Sequence, residues 1–365
     1  MKEFIQKHLL KLKPYQPGKP ISEVQRELGL TEVLKLASNE NLAGPSPKAV
    51  KALKAFAAEM NYYPDGGCYL LRKGIAGKFD VPFDNVAVGN GTDEIIRLLC
   101  NIFLSPGMNT VAGNPSFVMY RISTMAAGAE PVEVSLDGFT HDLPAMLDRV
   151  DENTRIFFIC NPNNPTGTIV TKSQVDEVID RIPDHVCVVF DEAYFEFADD
   201  SDYPDGLDYF APDGRVAVLR TFSKIYGLAG LRIGYGFLPD AVADAFHRVR
   251  NPFNVNQAAQ EAALAALGDD RHVKRTRKFM REGRNFLYGS FEKMGLDCVP
   301  TQANFILVHV KGDAEDVFQR LLRKGVIVRP GKFLGYPEHI RVTIPSVEEC
   351  KVFARALEEV LSERG

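Results

Sequence analysis

Short runs of Val, Ile, Phe and Ala punctuate the middle of the chain, and each gives way to polar residues at its carboxyl end. "VAVGNG" precedes the helix-like "TDEIIRLLCNIFL", and "NTVAGNPSF" precedes "VMYRISTMAA". Then come "RIFFICNPNNPTG", "HVCVVFDEAYF" and "RVAVLRTFSK", at intervals comparable to one β-α-β unit of roughly 30 residues. The runs are continuous rather than alternating, which predicts strands covered on both faces, as in a parallel sheet. The pattern predicts a doubly wound α/β domain. After about residue 240 the texture changes. "NQAAQEAALAAL" and "RHVKRTRKFMREGRNFLYGSFEKMG" read as long helices, and "NFILVHV", "VIVRPG" and "HIRVTI" as strands. The helix "DAEDVFQRLLRKG" falls between the first two of these, and Ser346 with Glu349 opens the last helix as a capping box. This predicts a second, smaller α+β domain with the N-terminal arm beside it. The expected division is 38–258 for the large domain, and 1–37 with 259–365 for the arm and the small domain.

Composition narrows the function more than the fold. The formal net charge of −5 gives no electrostatic case for nucleic acid or an anionic membrane as the main partner. No apolar run approaches the roughly 20 residues needed to span a bilayer. The lysine-rich start, "MKEFIQKHLLKLKPYQPGK", lacks a long apolar stretch and a cleavage site, and reads as a structured arm. Six scattered cysteines without a C-x-x-C pair read as reduced, mostly buried thiols of a cytoplasmic protein, and no metal is expected.

In an open parallel sheet, ligands sit outside the carboxyl ends of the strands. The first run ends in Gly91, Thr92 and Asp93 at a helix start, either an ordinary cap or a phosphate cradle. It is neither a Walker loop nor G-x-G-x-x-G, which counts against a nicotinamide dehydrogenase. "CNPNNPTG" is a rigid loop that projects Asn164 over the strand ends. "VCVVF" delivers Asp191 into an aromatic setting, where it needs a cation or a donated hydrogen bond unless it merely caps a helix. Tyr194 follows three residues on, and Glu192 reads as a supporting or surface charge without chemistry of its own. The last run delivers Ser223 and Lys224, with Arg232 further on; a desolvated lysine there becomes a nucleophile. A phosphate cradle, a carboxylate for a ring nitrogen, donors for a ring hydroxyl and a lysine for an imine are what pyridoxal 5′-phosphate requires.

At these residues the chain resembles the aspartate-aminotransferase fold, fold type I of the pyridoxal-phosphate enzymes, and within it the histidinol-phosphate aminotransferase family. The similarity runs nearly end to end, through "YQPGKP", "KLASNEN", "YYPDG", "GNGTDEII", "NPSFVMY", "NPNNPTG", "VVFDEAYFEF", "TFSKIYGLAGLRIGYG", "VIVRPG" and "IRVTI". The resemblance implies that Lys224 is the cofactor's covalent anchor and moves the proton at the substrate Cα. It implies Asp191 at the ring nitrogen, Asn164 and Tyr194 at the ring hydroxyl, and Phe117 stacked on the ring. Gly91, Thr92, Asp93, Thr221, Ser223 and Arg232 would surround the phosphate, with Tyr63 reaching it from a neighbouring subunit. Arg341 would take the substrate anion, and Tyr15 and Arg329 would complete the pocket. The implied enzyme is a homodimer with a shared active site, exchanging an amine between histidinol phosphate and 2-oxoglutarate. An aromatic aminotransferase and a threonine-phosphate decarboxylase share much of this pattern. Two positions depart from the family's habit: Leu42 stands in "NENLAG" for a proline, and Pro345 with Ser346 for a Gly-Thr pair.

Overall fold

The apolar runs become strands of one seven-stranded sheet. In the computed structural model, which describes residues 1–14 and 18–363, the spatial order begins Val86–Gly89, Gly234–Phe237, Val216–Thr221, Cys187–Asp191. It continues through Thr154–Cys160 and Asn109–Asn114 to Glu130–Ser135. From Val216–Thr221 outward every pairing is parallel. Gly234–Phe237 alone runs the other way, antiparallel to both neighbours. The hydrophobic pattern predicts five of these strands and passes over two. Glu130–Ser135 carries two glutamates and a proline at the sheet edge, and Gly234–Phe237 carries two glycines, so neither shows an apolar run.

Successive side chains of a strand point to opposite faces. Val188, Phe190 and Val218 lie in one apolar cluster with Phe157 and Ile159. Val189, Ala217 and Leu219 lie in the other with Ile156 and Phe158, covered by Ile95, Leu99 and Phe246 from helices Thr92–Phe103 and Asp240–Val249. Both faces are covered, which is why the runs are continuous.

The small sheet is antiparallel, in the order Arg329–Pro330, His339–Thr343, Phe305–His309. Helices Asp270–Lys293, Ala314–Arg323 and Val347–Ser362 contribute Phe291, Leu321 and Phe353 to its core. The expected capping box is present: Glu349 N–H donates to Ser346 Oγ at 3.2 Å, and Ser346 N–H to Glu349 Oε2 at 3.0 Å. Near the N-terminus, Leu34–Lys35 pairs in parallel with Val326–Ile327. All six cysteines are free thiols, with Cys298 the one not fully buried. No described helix is long and apolar enough to cross a membrane.

Glu192 is no surface charge: it is 1% exposed. Alternation turns it away from the Asp191 side, where it meets the equally buried Arg220. Arg220 donates from Nε at 2.9 Å and sits 2.8 Å away through Nη2, which also bonds Asp205 at 2.5 Å. The guanidinium lies 3.6 Å from the Phe195 ring centroid. Asp205 has no sequence neighbour that marks it as a partner, so the ion pair was hidden until the strands were in register. Breaking such a pair from one side leaves a buried charge uncompensated. Arg220→Ala is expected to cost about 3–5 kcal/mol, read as a lower urea midpoint. A double variant, Arg220→Met with Glu192→Gln, should lose less than the single one.

Candidate active site

The carboxyl ends of the parallel strands open onto a cleft of about 1020 Å³. Strand Cys187–Asp191 ends there in Asp191, beside Cys160 on the neighbouring strand. Its carboxylate is buried and accepts from Tyr120 Oη at 2.7 Å and from Ala193 N–H at 3.2 Å. Burial raises the carboxyl to about 6, with the Tyr120 hydrogen bond working against it. At neutral pH it is an anion held by neutral donors, a setting that favours a cationic ligand. The expected donated hydrogen bond exists, but its donor was missed in the sequence. Tyr120 stands on helix Met119–Ala126 and stacks on Phe158 with centroids 4.4 Å apart, so it reads as a core aromatic and its hydroxyl goes unnoticed.

Strand Val216–Thr221 delivers Thr221, Ser223 and Lys224 to the same cleft. Lys224 Nζ donates to the carbonyls of Ser38 and Asn39, both at 3.3 Å. It lies 5.6 Å from the Tyr194 ring centroid. Burial, and after it the Arg341 guanidinium, lowers this amine to about 8. Tyr194 is buried, and burial holds its hydroxyl well above the usual range. Asn164 projects from the loop after Thr154–Cys160 and accepts from Arg341 Nη1 at 2.5 Å. That loop is tied down by its neighbour Asn163, which accepts from Ser116 Oγ at 2.8 Å and donates to Thr166 Oγ1 at 2.9 Å. Phe117 lines the cleft, edge-on to Tyr120 at 5.7 Å.

The reversed strand explains Arg232. Because Gly234–Phe237 runs against the sheet, its start lies beside Gly89 and Thr221. Arg232, two residues earlier, therefore enters the corner where helix Thr92–Phe103 begins. That helix starts at Gly91 without a side-chain cap. Arg232 Nη2 bonds Asp93 Oδ2 at 3.2 Å. Gly91 has a φ of +78°, and a Cβ there would fall 2.6 Å from Arg232 Nη2. A Cβ on Gly234 would fall 2.6 Å from Thr92 N. An uncapped helix start, the hydroxyl residues Thr221 and Ser223, one guanidinium and no room for side chains make an anion cradle.

Arg329 and Arg341 stand opposite each other on adjacent strands of the small sheet, and both line the cleft. Arg341 also donates from Nη2 to Ala37 O at 3.0 Å. Two guanidinium groups at one mouth favour an anion between them. Tyr63 lies outside the cleft, 84% exposed and stacked on Phe253 at 5.0 Å. Tyr15 lies outside the described residues. Leu42 is accommodated because Asn41 holds the turn itself, accepting from Ala43 N–H at 3.0 Å through Oδ1 and from Gly44 N–H at 3.1 Å through its carbonyl.

A lysine with a lowered pKa, a buried carboxylate and an anion cradle at the ends of a mainly parallel sheet suit a pyridoxal-phosphate enzyme of the aspartate-aminotransferase fold. Residues 31–357 match the Aminotransferase class I and II family. Histidinol-phosphate aminotransferase from Moorella thermoacetica is 48% identical over 97% of this chain and 92% of its own length. The enzyme of that name from Akkermansia muciniphila is 48% identical over 99% of both chains. Among solved structures, histidinol-phosphate aminotransferase from Sinorhizobium meliloti, in complex with pyridoxal-5′-phosphate, aligns with a TM-score of 0.91 at 26% identity, over 99% of this chain and 98% of that one. The chain belongs to the class I and II aminotransferases and, within them, to the histidinol-phosphate aminotransferase family. Its cofactor is pyridoxal 5′-phosphate, and the lysine, carboxylate and anion cradle described above fit that molecule.

Gly91→Ala tests the cradle. The added methyl displaces Arg232 and strains a positive φ. Affinity for the cofactor is expected to fall at least about tenfold, the loss of roughly one charge-assisted hydrogen bond, measured by equilibrium dialysis with circular dichroism unchanged.

Proposed function

We propose that this chain is a homodimeric, cytoplasmic transaminase that exchanges an amino group between histidinol phosphate and 2-oxoglutarate, forming imidazole-acetol phosphate and glutamate. The observation that carries the reading is the pair Arg329 and Arg341 in register at the cleft that holds Lys224. One pair of guanidinium groups serves the phosphate of one substrate and the carboxylates of the other in turn. The names of the relatives point to the same substrate.

Bound in the cleft, pyridoxal phosphate supplies an electrophilic aldehyde and a ring that draws electrons from the substrate's Cα. Lys224 would hold it covalently, Asp191 would face the ring nitrogen, and Asn164 and Tyr194 the ring hydroxyl. Phe117 would cover one ring face, while Gly91, Thr92, Asp93, Thr221, Ser223 and Arg232 would hold the phosphate. As a free amine, Lys224 Nζ would take the proton from the substrate Cα, a role suited to an amine lowered to about 8. Asp191, whose carboxyl burial raises to about 6, would be an anion at neutral pH and would favour a protonated nitrogen facing it. Arg341, oriented by Asn164 and Ala37, and Arg329 fix the substrate so that its Cα–H faces Lys224. Tyr15 would complete this pocket.

Several features support the rest of the reading. Met60, Tyr62, Tyr63, Tyr69 and Leu70 are all exposed within one short stretch of chain, apolar surface suited to a second copy. In the dimer, Tyr63 would reach the cofactor phosphate of the other subunit. Free thiols suit a reducing compartment. The large sheet falls wholly within 38–258, the proposed cofactor domain, and the small sheet within 259–365.

Lys224→Ala should lose turnover by at least about a thousandfold with the fold intact; substantial residual turnover would remove Lys224 from this role. The loaded enzyme mixed separately with L-histidinol phosphate, L-phenylalanine and L-threonine phosphate should lose its visible absorbance at the lowest concentration with the first. Preference for phenylalanine would change the substrate, and carbon dioxide from threonine phosphate would make the enzyme a decarboxylase. Cofactor uptake by the stripped protein has its own pH dependence. Falling pH protonates Lys224 through about 8 and Asp191 through about 6, so the rate should climb as pH rises between those values and level off above them. A flat stopped-flow profile would assign neither group.

A further inference from the structure

Asn39 belongs to the "KLASNEN" stretch and has no part in the chemistry assigned so far, yet it bonds Tyr194, Lys224 and the small domain at once. It is buried and adopts a φ of +55°, a left-handed conformation that asparagine tolerates better than most residues. Its backbone N–H donates to Thr343 Oγ1 at 2.9 Å, and its carbonyl accepts from Asn304 Nδ2 at 3.1 Å, so the small sheet holds it at two points. The same carbonyl accepts from Lys224 Nζ at 3.3 Å. Its side-chain Nδ2 donates to Tyr194 Oη at 2.9 Å. Thr343 Oγ1 also lies 3.5 Å from its Oδ1, which agrees with the NH2 facing the tyrosine.

The direction of the Tyr194 bond matters. An amide NH2 cannot accept, so the tyrosine oxygen accepts and its own proton is left for another acceptor. We infer that Asn39 is a positioning residue of the cofactor site. It aims the Tyr194 proton at the cofactor's ring oxygen, seats the Lys224 amine, and links both to the small sheet through Thr343 and Asn304. The inference rests on the assignment of Tyr194 and Lys224 to the cofactor. It adds that the small sheet, which carries Arg341, is linked through one amide to the groups that set the cofactor's electronic state.

The test uses the loaded holoenzyme and the pH midpoint at which the bound cofactor's visible band changes. Donation to the ring oxygen favours its anionic form and keeps that midpoint low. Asn39→Gly removes the amide while glycine accepts the backbone conformation, and the midpoint should rise by about half a unit. Asn39→Asp turns the donor into an acceptor and adds a negative charge beside Lys224, and the rise should be about one unit, tenfold in the proton equilibrium. Thr343→Val keeps the shape and releases the amide, and should move the midpoint the same way by less; it carries the test if Asn39→Gly fails to fold by thermal melting. A residue that only supports the backbone would lower the melting temperature and leave the midpoint in place. Midpoints in all three variants within about 0.2 unit of the parent, a fraction of 1 kcal/mol, would overturn the role of Asn39 alone. A parent protein that gains no visible band with the cofactor would overturn the site reading, and this inference with it.

Discussion

Asp191 is buried and Lys224 half-buried at one cleft, and each is hydrogen-bonded to neutral groups rather than to the other. Low dielectric penalises both charged forms, so the carboxyl is pushed up and the amine pushed down. The rest of the site depends on this tension. A ligand that offers a cationic nitrogen to the one and an electrophilic carbon to the other relieves both penalties, and few small molecules present the two together. The uncapped helix start at Gly91 and the Arg232 guanidinium stand at one corner of that cleft, where an anionic group on such a ligand would be favoured.

That arrangement follows from strand direction. Four of the parallel strands bring their last residues, Asn114, Cys160, Asp191 and Thr221, to the cleft, and the one reversed strand brings its approach. Arg232 therefore joins Thr92 and Ser223, although its own strand points away from them. The opposite face of the same strands carries Glu192 and Arg220, immediate neighbours of Asp191 and Thr221. A charged pair thus fastens the two central strands one residue from the chemistry, on the side where nothing reacts.

Much of this was legible in the sequence because strand ends are marked by composition. Continuous apolar runs stop abruptly at Gly89, Cys160, Asp191 and Thr221, and soon after them come Thr92, Asn164, Tyr194 and Lys224, which line the cleft. What was hidden depends on pairings between distant segments. Tyr120 looks like core until its register with Asp191 is known. Asn39 and Thr343 are 304 positions apart and share no local pattern. Glu192 next to a catalytic-looking aspartate reads as solvated until Arg220 is seen on the adjoining strand. The left-out strands, Glu130–Ser135 and Gly234–Phe237, lack apolar runs for reasons of edge position and close glycine packing.

The pairing of Leu34–Lys35 with Val326–Ile327 has a consequence for biogenesis. Domains form as units while the chain emerges from the ribosome. The seven-stranded sheet needs only residues up to Phe237, so its strands can assemble while about a third of the protein is still untranslated. The segment around residue 34 must wait, unpaired, for its partner near the other terminus. Arg341 and Thr343 are later still. Arg329 and Arg341 are therefore among the last residues of the cleft to be synthesised, and a chain that stalls late in translation carries Lys224 and Arg232 but not that pair.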